Sequence, residues 1–191
     1  MNEWDIMNEW DIKSIEWDLT PESVVVELGG YQGRWSKLIA DKYHPNLFAF
    51  EPQVWAAEKY RKLLGEAAQC FTYGLGTQDA TLPMGEFETD GCSFTRTTRT
   101  QGTGELREYH SALAALDIGA IDLMLMNIEG YEFTLLPHIM PLLNVKWFMI
   151  QFHCNTVLDF EFYHEWRFDR RQTHNLMWDY GTTLSAWERK V

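Results

Sequence analysis

The fold is decided by residues 24–33, which read VVVELGGYQG. A second apolar run, LFAFEP at residues 47–52, follows a helical pattern over residues 34–43. Each run ends in a carboxylate, Glu27 in the first and Glu51 in the second. The order of strand, glycine turn, helix and strand is typical of a parallel α/β sheet. Ligands of such sheets bind outside the carboxyl ends of the strands.

The glycine turn indicates what this loop binds. The spacing Gly29-Gly30-x-x-Gly33 lets the backbone turn sharply and a ligand approach closely, but it lacks the second glycine of G-x-G-x-x-G, and no G-x-x-x-x-G-K-[ST] occurs. Glu27 would repel a pyrophosphate but suits an ammonium group, and Glu51 stands where such folds bind ribose hydroxyls. An amine and a ribose without a required phosphate describe S-adenosylmethionine. The alternative is an ordinary turn between a strand and a helix, with two incidental acids.

Three blocks in chain order resemble known methyltransferases. Residues 25–33 resemble motif I of class I methyltransferases, and residues 48–52 resemble the "afEP" segment of the FkbM family. Residues 121–132, which read IDLMLMNIEGYE, resemble the "iDllKiDvEGaE" block of that family. The similarity runs from about Glu22 to His153. It implies an S-adenosylmethionine-dependent methyltransferase with a Rossmann-like α/β fold: a mostly parallel sheet, helices on both faces and an antiparallel last strand.

The resemblance also implies where the cofactor lies. The glycine loop would wrap the methionine end, Glu51 would bind the ribose, and the segment 74–78 would lie near the adenine. Ser93, in the sequence GCSF, resembles a small serine-containing motif of the family and would line the site. The predicted cofactor-binding residues are Glu27, Gly29, Gly30, Tyr31, Gly33, Glu51, Gly76, Thr77 and Ser93.

The catalytic candidates follow two later apolar runs that read as central strands. Asn127 and Glu129 end the run 121–128, and His153 ends the run 145–152. A hydroxyl acceptor must lose its proton on methylation, so a general base within hydrogen-bond reach would assist. Glu129 is the first choice as the acid/base or acceptor-orienting residue, and His153 is the second. The alternatives are a carboxylate favoured by the helix dipole for Glu129 and a satisfied strand-end histidine for His153.

Two positions depart from the family block. Leu125 stands where the family has lysine, which removes a positive charge, and Asn127 stands where it has aspartate, which removes a base or a metal ligand. No metal site is predicted. The departures favour a second hypothesis, a catalytically degenerate module that binds S-adenosylmethionine without turnover. A third hypothesis, a nucleotide-dependent oxidoreductase, is disfavoured by the glycine spacing.

Composition and charge bound the partners. The chain has 191 residues and a formal net charge of −12, which argues against nonspecific binding to nucleic acid or to anionic membrane, and neither is expected as a partner. The expected acceptor is a hydroxyl of a small molecule or glycan, and the hydroxyl is named only because the resembled family is associated with O-methylation. Three widely spaced cysteines form neither a metal motif nor a disulfide framework, so a reducing cytoplasm is expected. No apolar run approaches the roughly 18 residues of a membrane span, and self-association is left open.

The remaining segments predict one domain with an N-terminal extension. The sequence MNEWDI occurs at residues 1–6 and again at 7–12, so residues 1–20 are assigned to a repeat extension and 21–191 to a methyltransferase-like domain. Glycine, threonine and charged residues over 85–105 predict a substrate-facing loop. Residues 157–178 predict an aromatic-rich helix, and 182–189 a closing strand.

Overall fold

The computed structural model describes residues 15–85, 92–95, 100–139, 144–180 and 184–190. In these ranges the strands are β1 Val24–Leu28, β2 Asn46–Phe50, β3 Gln69–Phe71, β4 Gly74–Gly76, β5 Ala80–Gly85, β6 Thr100–Glu108, β7 Ile121–Met126, β8 Val145–Gln151, β9 His174–Tyr180 and β10 Leu184–Arg189. The α-helices are α1 Arg34–Tyr43, α2 Val54–Leu64, α3 Tyr109–Ala114, α4 Glu132–Ile139 and α5 Val157–Thr173.

The main sheet has seven strands in the order β3-β2-β1-β7-β8-β10-β9. The first five are mutually parallel, and β10 runs antiparallel to both β8 and β9. Strand β1 lies between β2 and β7, and the chain crosses over it between β3 and β7. The predicted Rossmann-like fold with an antiparallel final strand is therefore confirmed.

Alternate side chains of the inner strands belong to two buried hydrophobic clusters, one on each face of the sheet. Leu123 and Leu125 belong to the cluster under α1 and α2, whereas Met124 and Met126 belong to the cluster under α3, α4 and α5. All four side chains are fully buried. Helices thus cover both faces of the sheet. Strand β7 is therefore a continuous apolar run, because its side chains are buried on both faces.

A second sheet of three strands, in the order β4-β6-β5, closes one side of the molecule. Strand β6 runs antiparallel to β5 from Thr100 onward, so residues 100–105 are strand and the predicted loop over 85–105 is too long. A side chain at Gly104 would collide with Met84, so this glycine permits close strand packing and does not mark a loop. Residues 86–91 and 96–99 of that loop lie outside the described ranges.

The predicted helix over 157–178 ends early. Helix α5 stops at Thr173, and His174–Tyr180 forms β9, which pairs with β10. No glycine or proline interrupts residues 157–178, so the local pattern offers no stop signal. Antiparallel pairing with β10, which the helical pattern does not encode, decides the conformation of these residues instead.

The chain before β1 packs against the sheet. Ile15, Trp17 and Leu19 are buried in the cluster of α1 and α2, and the Trp17 ring meets Trp147 edge-on at 5.2 Å. The backbone N–H of Trp17 donates to the Tyr43 hydroxyl at 3.0 Å. The repeat over 1–12 lies outside the described residues, and the domain boundary at residue 21 stays a prediction.

Among the described residues, no helix combines the length and apolar character that crossing a bilayer would require.

Candidate active site

A cavity of about 340 Å³ opens at the carboxyl ends of β1, β2 and β7. This is the point where the strand order reverses, which is where open α/β sheets bind their ligands. The volume lies in the range of small-molecule sites. Seven predicted site residues line the cavity: Glu27, Gly29, Gly30, Tyr31, Glu51, Asn127 and Glu129. Five others, all within the described ranges, do not: Gly33, Gly76, Thr77, Ser93 and His153.

The glycine loop is held between β2 and β7. Gly29 has a φ of +79°, and its N–H donates to the carbonyl of Phe50 at 3.0 Å. A Cβ at this position would collide with the carbonyl oxygen of Asn127. Both the positive φ and this close approach require glycine. The loop floor is therefore backbone, which leaves room above it for a ligand.

Glu51 connects the end of β2 to this loop. Its Oε2 accepts a hydrogen bond from the N–H of Tyr31 at 2.7 Å, and its Oε1 accepts one from the N–H of Gln53 at 2.8 Å. Burial raises the pKa of Glu51 to about 7, although the two backbone N–H groups act in the opposite direction. Each carboxylate oxygen keeps a second lone pair, so Glu51 can still accept hydrogen bonds from a diol.

Glu27 faces the helices as well as the cavity. The Ser36 hydroxyl of α1 donates to its Oε2, and the Tyr60 hydroxyl of α2 donates to Ser36 in turn. The side chain is almost fully buried, and this burial, with a smaller effect from Glu51, raises the pKa of Glu27 to about 8 despite the hydroxyl contacts. At neutral pH this raised pKa favours the protonated form of Glu27. An ammonium ligand would have to displace that proton.

The turn after β7 is strained and supported from outside. Glu129 has a φ of +55° and Gly130 a φ of +98°. The carbonyl of Glu129 accepts hydrogen bonds from the hydroxyls of Ser93 at 2.6 Å and Thr95 at 3.3 Å. A left-handed non-glycine residue costs about 1–3 kcal/mol, and such strain persists only when the surroundings fix it. Ser93 thus supports the turn and does not line the cavity.

His153 lies between two carboxylates. Its Nε2 is 3.1 Å from Oε1 of Glu129, and its Nδ1 is 2.8 Å from Oε1 of Glu132. Burial by itself would lower the pKa of His153, but hydrogen bonds and charge from Glu129 and Glu132 outweigh it and raise the pKa to about 9. The two strand ends that carried the catalytic candidates therefore meet, through a positively charged imidazole.

Glu132 was not among the site residues predicted from the sequence. Its side chain is fully buried at the start of α4, although a glutamate in a first helical turn is usually exposed and favoured by the helix dipole. The available signal was its spacing, because it closes the EGYE segment that begins at Glu129. Only the fold reveals that His153 is its partner.

Asn127, Gly76 and Thr77 lie in or beside the structure that surrounds the cavity. Asn127 donates from its N–H to the carbonyl of Leu28 at 2.9 Å, and its Oδ1 is buried without a described partner. Gly76 is buried in β4, and Thr77 hydrogen-bonds to the hydroxyl of Tyr131, a residue that does line the cavity. Within the described ranges no three His, Cys, Asp or Glu side chains are arranged to hold a metal ion.

Comparisons with known proteins identify the class of fold. No protein-family model matches the sequence, and no curated protein sequence matches it either. Among solved structures, an rRNA methylase from Streptococcus thermophilus shares 15% identity with a TM-score of 0.55, covering 100% of this chain and 99% of that chain. A fibrillarin/Nop5p complex shares 12% identity with a TM-score of 0.60, covering 95% of this chain and 79% of that chain.

A third match is to a Streptococcus mutans protein assigned as a methyltransferase and crystallised with S-adenosylhomocysteine. It shares 13% identity with a TM-score of 0.52, and the match covers 100% of this chain and 99% of that chain. The neighbours are class I S-adenosylmethionine-dependent methyltransferases, and the protein has their fold.

The expectation about partners is corrected by these matches. The acceptor was expected to be a small molecule or glycan, with nucleic acid excluded by the charge of −12. That exclusion is wrong, because proteins of this fold include an rRNA methylase and a fibrillarin/Nop5p complex. Net charge describes the average over the whole surface, whereas recognition depends on the local potential at the binding patch.

Proposed function

We propose that this protein is an S-adenosylmethionine-dependent methyltransferase whose active site is the cavity above the Gly29 loop. The observation that carries the proposal is the position of Glu51. Its carboxylate lies at the end of β2, beside the glycine loop and at the reversal of strand order, in a fold shared with a protein crystallised with S-adenosylhomocysteine.

The cofactor would contact both carboxylates that line the cavity, Glu51 and Glu27. Glu51 would accept hydrogen bonds from the ribose hydroxyls through the lone pairs that Tyr31 and Gln53 leave open. Glu27 would face the ammonium group after giving up its proton, because a carboxylate and an ammonium attract each other strongly at a buried site. The glycine loop would let the methionine chain lie against its backbone.

The transfer step needs little from the protein beyond position. When bound, S-adenosylmethionine would supply an activated methyl group, which would pass to a lone pair of the acceptor while sulfur retains the electrons of the broken bond. Glu129 lines the cavity and would take the proton that the acceptor loses. The FkbM resemblance supports a hydroxyl as the accepting group. A hydroxyl of a nucleic acid is one candidate, because the fold neighbours include an rRNA methylase.

A degenerate binding module is the second candidate function. Asn127 favours it, because this amide lines the cavity where the FkbM block has an acid. Leu125 does not favour it: the side chain is fully buried in the core and does not line the cavity, so this departure removes no group from the cavity wall. Only turnover separates the two functions.

Calorimetric titration with S-adenosylmethionine, S-adenosylhomocysteine and NAD tests the proposal. We expect both sulfur compounds to bind with one-to-one stoichiometry and NAD to show no heat of binding. NAD binding without the sulfur compounds would overturn the proposal. Transfer of label from methyl-tritiated S-adenosylmethionine to RNA, protein and small-molecule fractions of a cell extract then tests turnover. The FkbM assignment and the cytoplasmic location stay predictions.

A further inference from the structure

Glu132 receives hydrogen bonds from both strand ends that build the catalytic side of the cavity. Its Oε2 accepts one from the N–H of Gly130 at 2.8 Å. Its Oε1 accepts one from the N–H of Ile128 at 3.2 Å and lies 2.8 Å from Nδ1 of His153. The side chain is fully buried and does not line the cavity. It therefore contacts the site only through other residues.

The first consequence concerns the turn that carries Glu129. The carbonyl of Glu129 accepts hydrogen bonds from Ser93 and Thr95. The backbone N–H groups of the residues before and after Glu129 donate to the Glu132 carboxylate. A Cβ at Gly130 would lie 2.8 Å from Oγ1 of Thr95, so the turn has no room to relax on that side. Its left-handed conformation is thus fixed from two directions, which sets where the Glu129 side chain begins.

The second consequence concerns the protons of His153. Nδ1 faces the carboxylate of Glu132 from α4, and Nε2 faces the carboxylate of Glu129 from the turn after β7. Asp159 of α5, the other nearby acid, is engaged by the N–H groups of Asn155 and Thr156. A carboxylate on each side requires a donor at each ring nitrogen. An imidazolium with two donated protons has no lone pair with which to accept a proton.

We propose that Glu132 is a positioning residue that holds His153 as an imidazolium and fixes the 128–130 turn, so that Glu129 alone accepts the proton of the methyl acceptor. This inference rests on the proposed methyltransferase function and decides between the two candidate bases. His153 is then a fixed positive charge beside Glu129. It orients the Glu129 carboxylate through the 3.1 Å contact of its Nε2.

Nuclear magnetic resonance of protein labelled with ¹⁵N-histidine tests the inference without an acceptor. The chain has six histidines, and the signal lost in His153→Gln assigns the relevant one. We expect His153 to titrate near pH 9 in the unmodified protein and at least one pH unit lower in Glu132→Gln. The matched control is Glu161→Gln on the exposed face of α5, which should leave the titration unchanged.

Two results would overturn the positioning role. The first is a titration of His153 near pH 6.5 in the unmodified protein. The second is an unchanged titration in a folded Glu132→Gln variant. If that variant does not fold, Glu129→Gln replaces it, because Glu129 borders the cavity and is not part of the core. Its carboxylate lies 3.1 Å from Nε2 of His153, so its loss should also lower the titration midpoint of His153 by at least one pH unit. An unchanged midpoint there would equally overturn the inference.

A second measurement separates a positioning role of Glu132 from a role in binding S-adenosylmethionine. Calorimetry with S-adenosylmethionine should give dissociation constants within about two-fold for Glu132→Gln and the unmodified protein. Label transfer to the extract fraction that the unmodified protein methylates should fall at least ten-fold. Equal transfer would overturn the positioning role. Failure of the unmodified protein to bind S-adenosylmethionine would overturn the proposed function and any catalytic role of Glu132 with it, even where His153 titrates near pH 9.

Discussion

Oε2 of Glu51 accepts a hydrogen bond from the backbone N–H of Tyr31 at 2.7 Å, which ties the end of β2 to the glycine loop after β1. Tyr31 has a φ of +44°, a conformation that non-glycine residues rarely adopt. The carboxylate therefore shapes the loop before any ligand arrives. The contact with Tyr31 gives Glu51 a role in loop conformation, and ribose recognition is its proposed second role; both can be tested by substitution.

Replacing Glu51 with alanine should weaken the binding of S-adenosylmethionine. A hydrogen bond to a charged group is worth about 1.5–3 kcal/mol, so the dissociation constant should rise roughly 10- to 150-fold by calorimetry. Glu58→Ala, on the exposed face of α2, is the matched control and should bind like the unmodified protein. An unchanged constant for Glu51→Ala would remove Glu51 from the ribose site.

Replacing Gly29 with alanine should destabilise the protein far more than the same change at Gly65 or Gly119, where a Cβ would meet open space. At Gly29 a positive φ combines with a collision against the carbonyl of Asn127, and we expect a loss of more than about 3 kcal/mol in the free energy of unfolding. Gly65 has a positive φ but open space, so Gly65→Ala should cost about 1–2 kcal/mol.

Gly119→Ala completes this series, because Gly119 has open space, and its stability should stay within about 0.5 kcal/mol of the unmodified protein. Urea denaturation measures all three variants. Equal losses at Gly29 and Gly65 would mean that backbone strain alone, and not the contact with β7, requires glycine in the loop.

The stability of the ligand-free protein should fall as the pH rises. Burial raises the pKa of Glu27 to about 8 and that of Glu51 to about 7, from ordinary values of 4.5. Between pH 4.5 and 8 the folded protein therefore holds more protons than the unfolded chain, and the free energy of unfolding decreases with pH. The raised pKa of His153, about 9, extends the decrease to pH 9. His174 acts in the opposite direction only below pH 6.5, because its pKa is lowered to about 4.

Urea denaturation at pH 6.5, 7.5 and 9 measures this decrease. Glu27→Gln has no titrating group at the buried position, so its curve should be flatter up to pH 8 than that of the unmodified protein. Glu58→Gln, an exposed control, should follow the unmodified protein. A stability that rises from pH 6.5 to pH 9 would show that these acids are ionised in the folded state.

Replacing Trp17 with alanine should cost about 3–5 kcal/mol of folding stability, the usual range for a buried tryptophan. The side chain is 3% exposed and meets Trp147 edge-on. Glu16→Ala is the control, because Glu16 is exposed and its ion pair with Lys42 lies at the surface, where such pairs contribute little. A loss below 1 kcal/mol for Trp17→Ala would indicate that the segment before residue 21 is dispensable for the fold.

The sequence predicts the positions of Gly29 and Glu51 at strand ends because the signals for them are local. Gly29 and Glu51 each stand directly after an apolar run, so their position at a strand end follows from the pattern itself. The parallel order of the central strands follows in the same way, from alternation with helices. The structure places both residues at the edge of the cavity.

The catalytic side depends on contacts between distant segments and is harder to predict. The partner of Glu132 is His153, twenty-one residues away, and nothing around either residue indicates that they meet. Strand β9 shows the same limit, because residues 174–178 continue a helical pattern and become a strand only through pairing with β10. Both features depend on contacts that the local sequence pattern does not encode.

A crystal structure of the protein with S-adenosylhomocysteine tests the central claim most directly. We expect the ribose hydroxyls within hydrogen-bond distance of the Glu51 carboxylate, the ammonium group beside Glu27 and the methionine chain over Gly29. An empty cavity in crystals grown at saturating ligand, or a ligand bound away from Glu51, would contradict the assignment of this cavity as a methyltransferase active site.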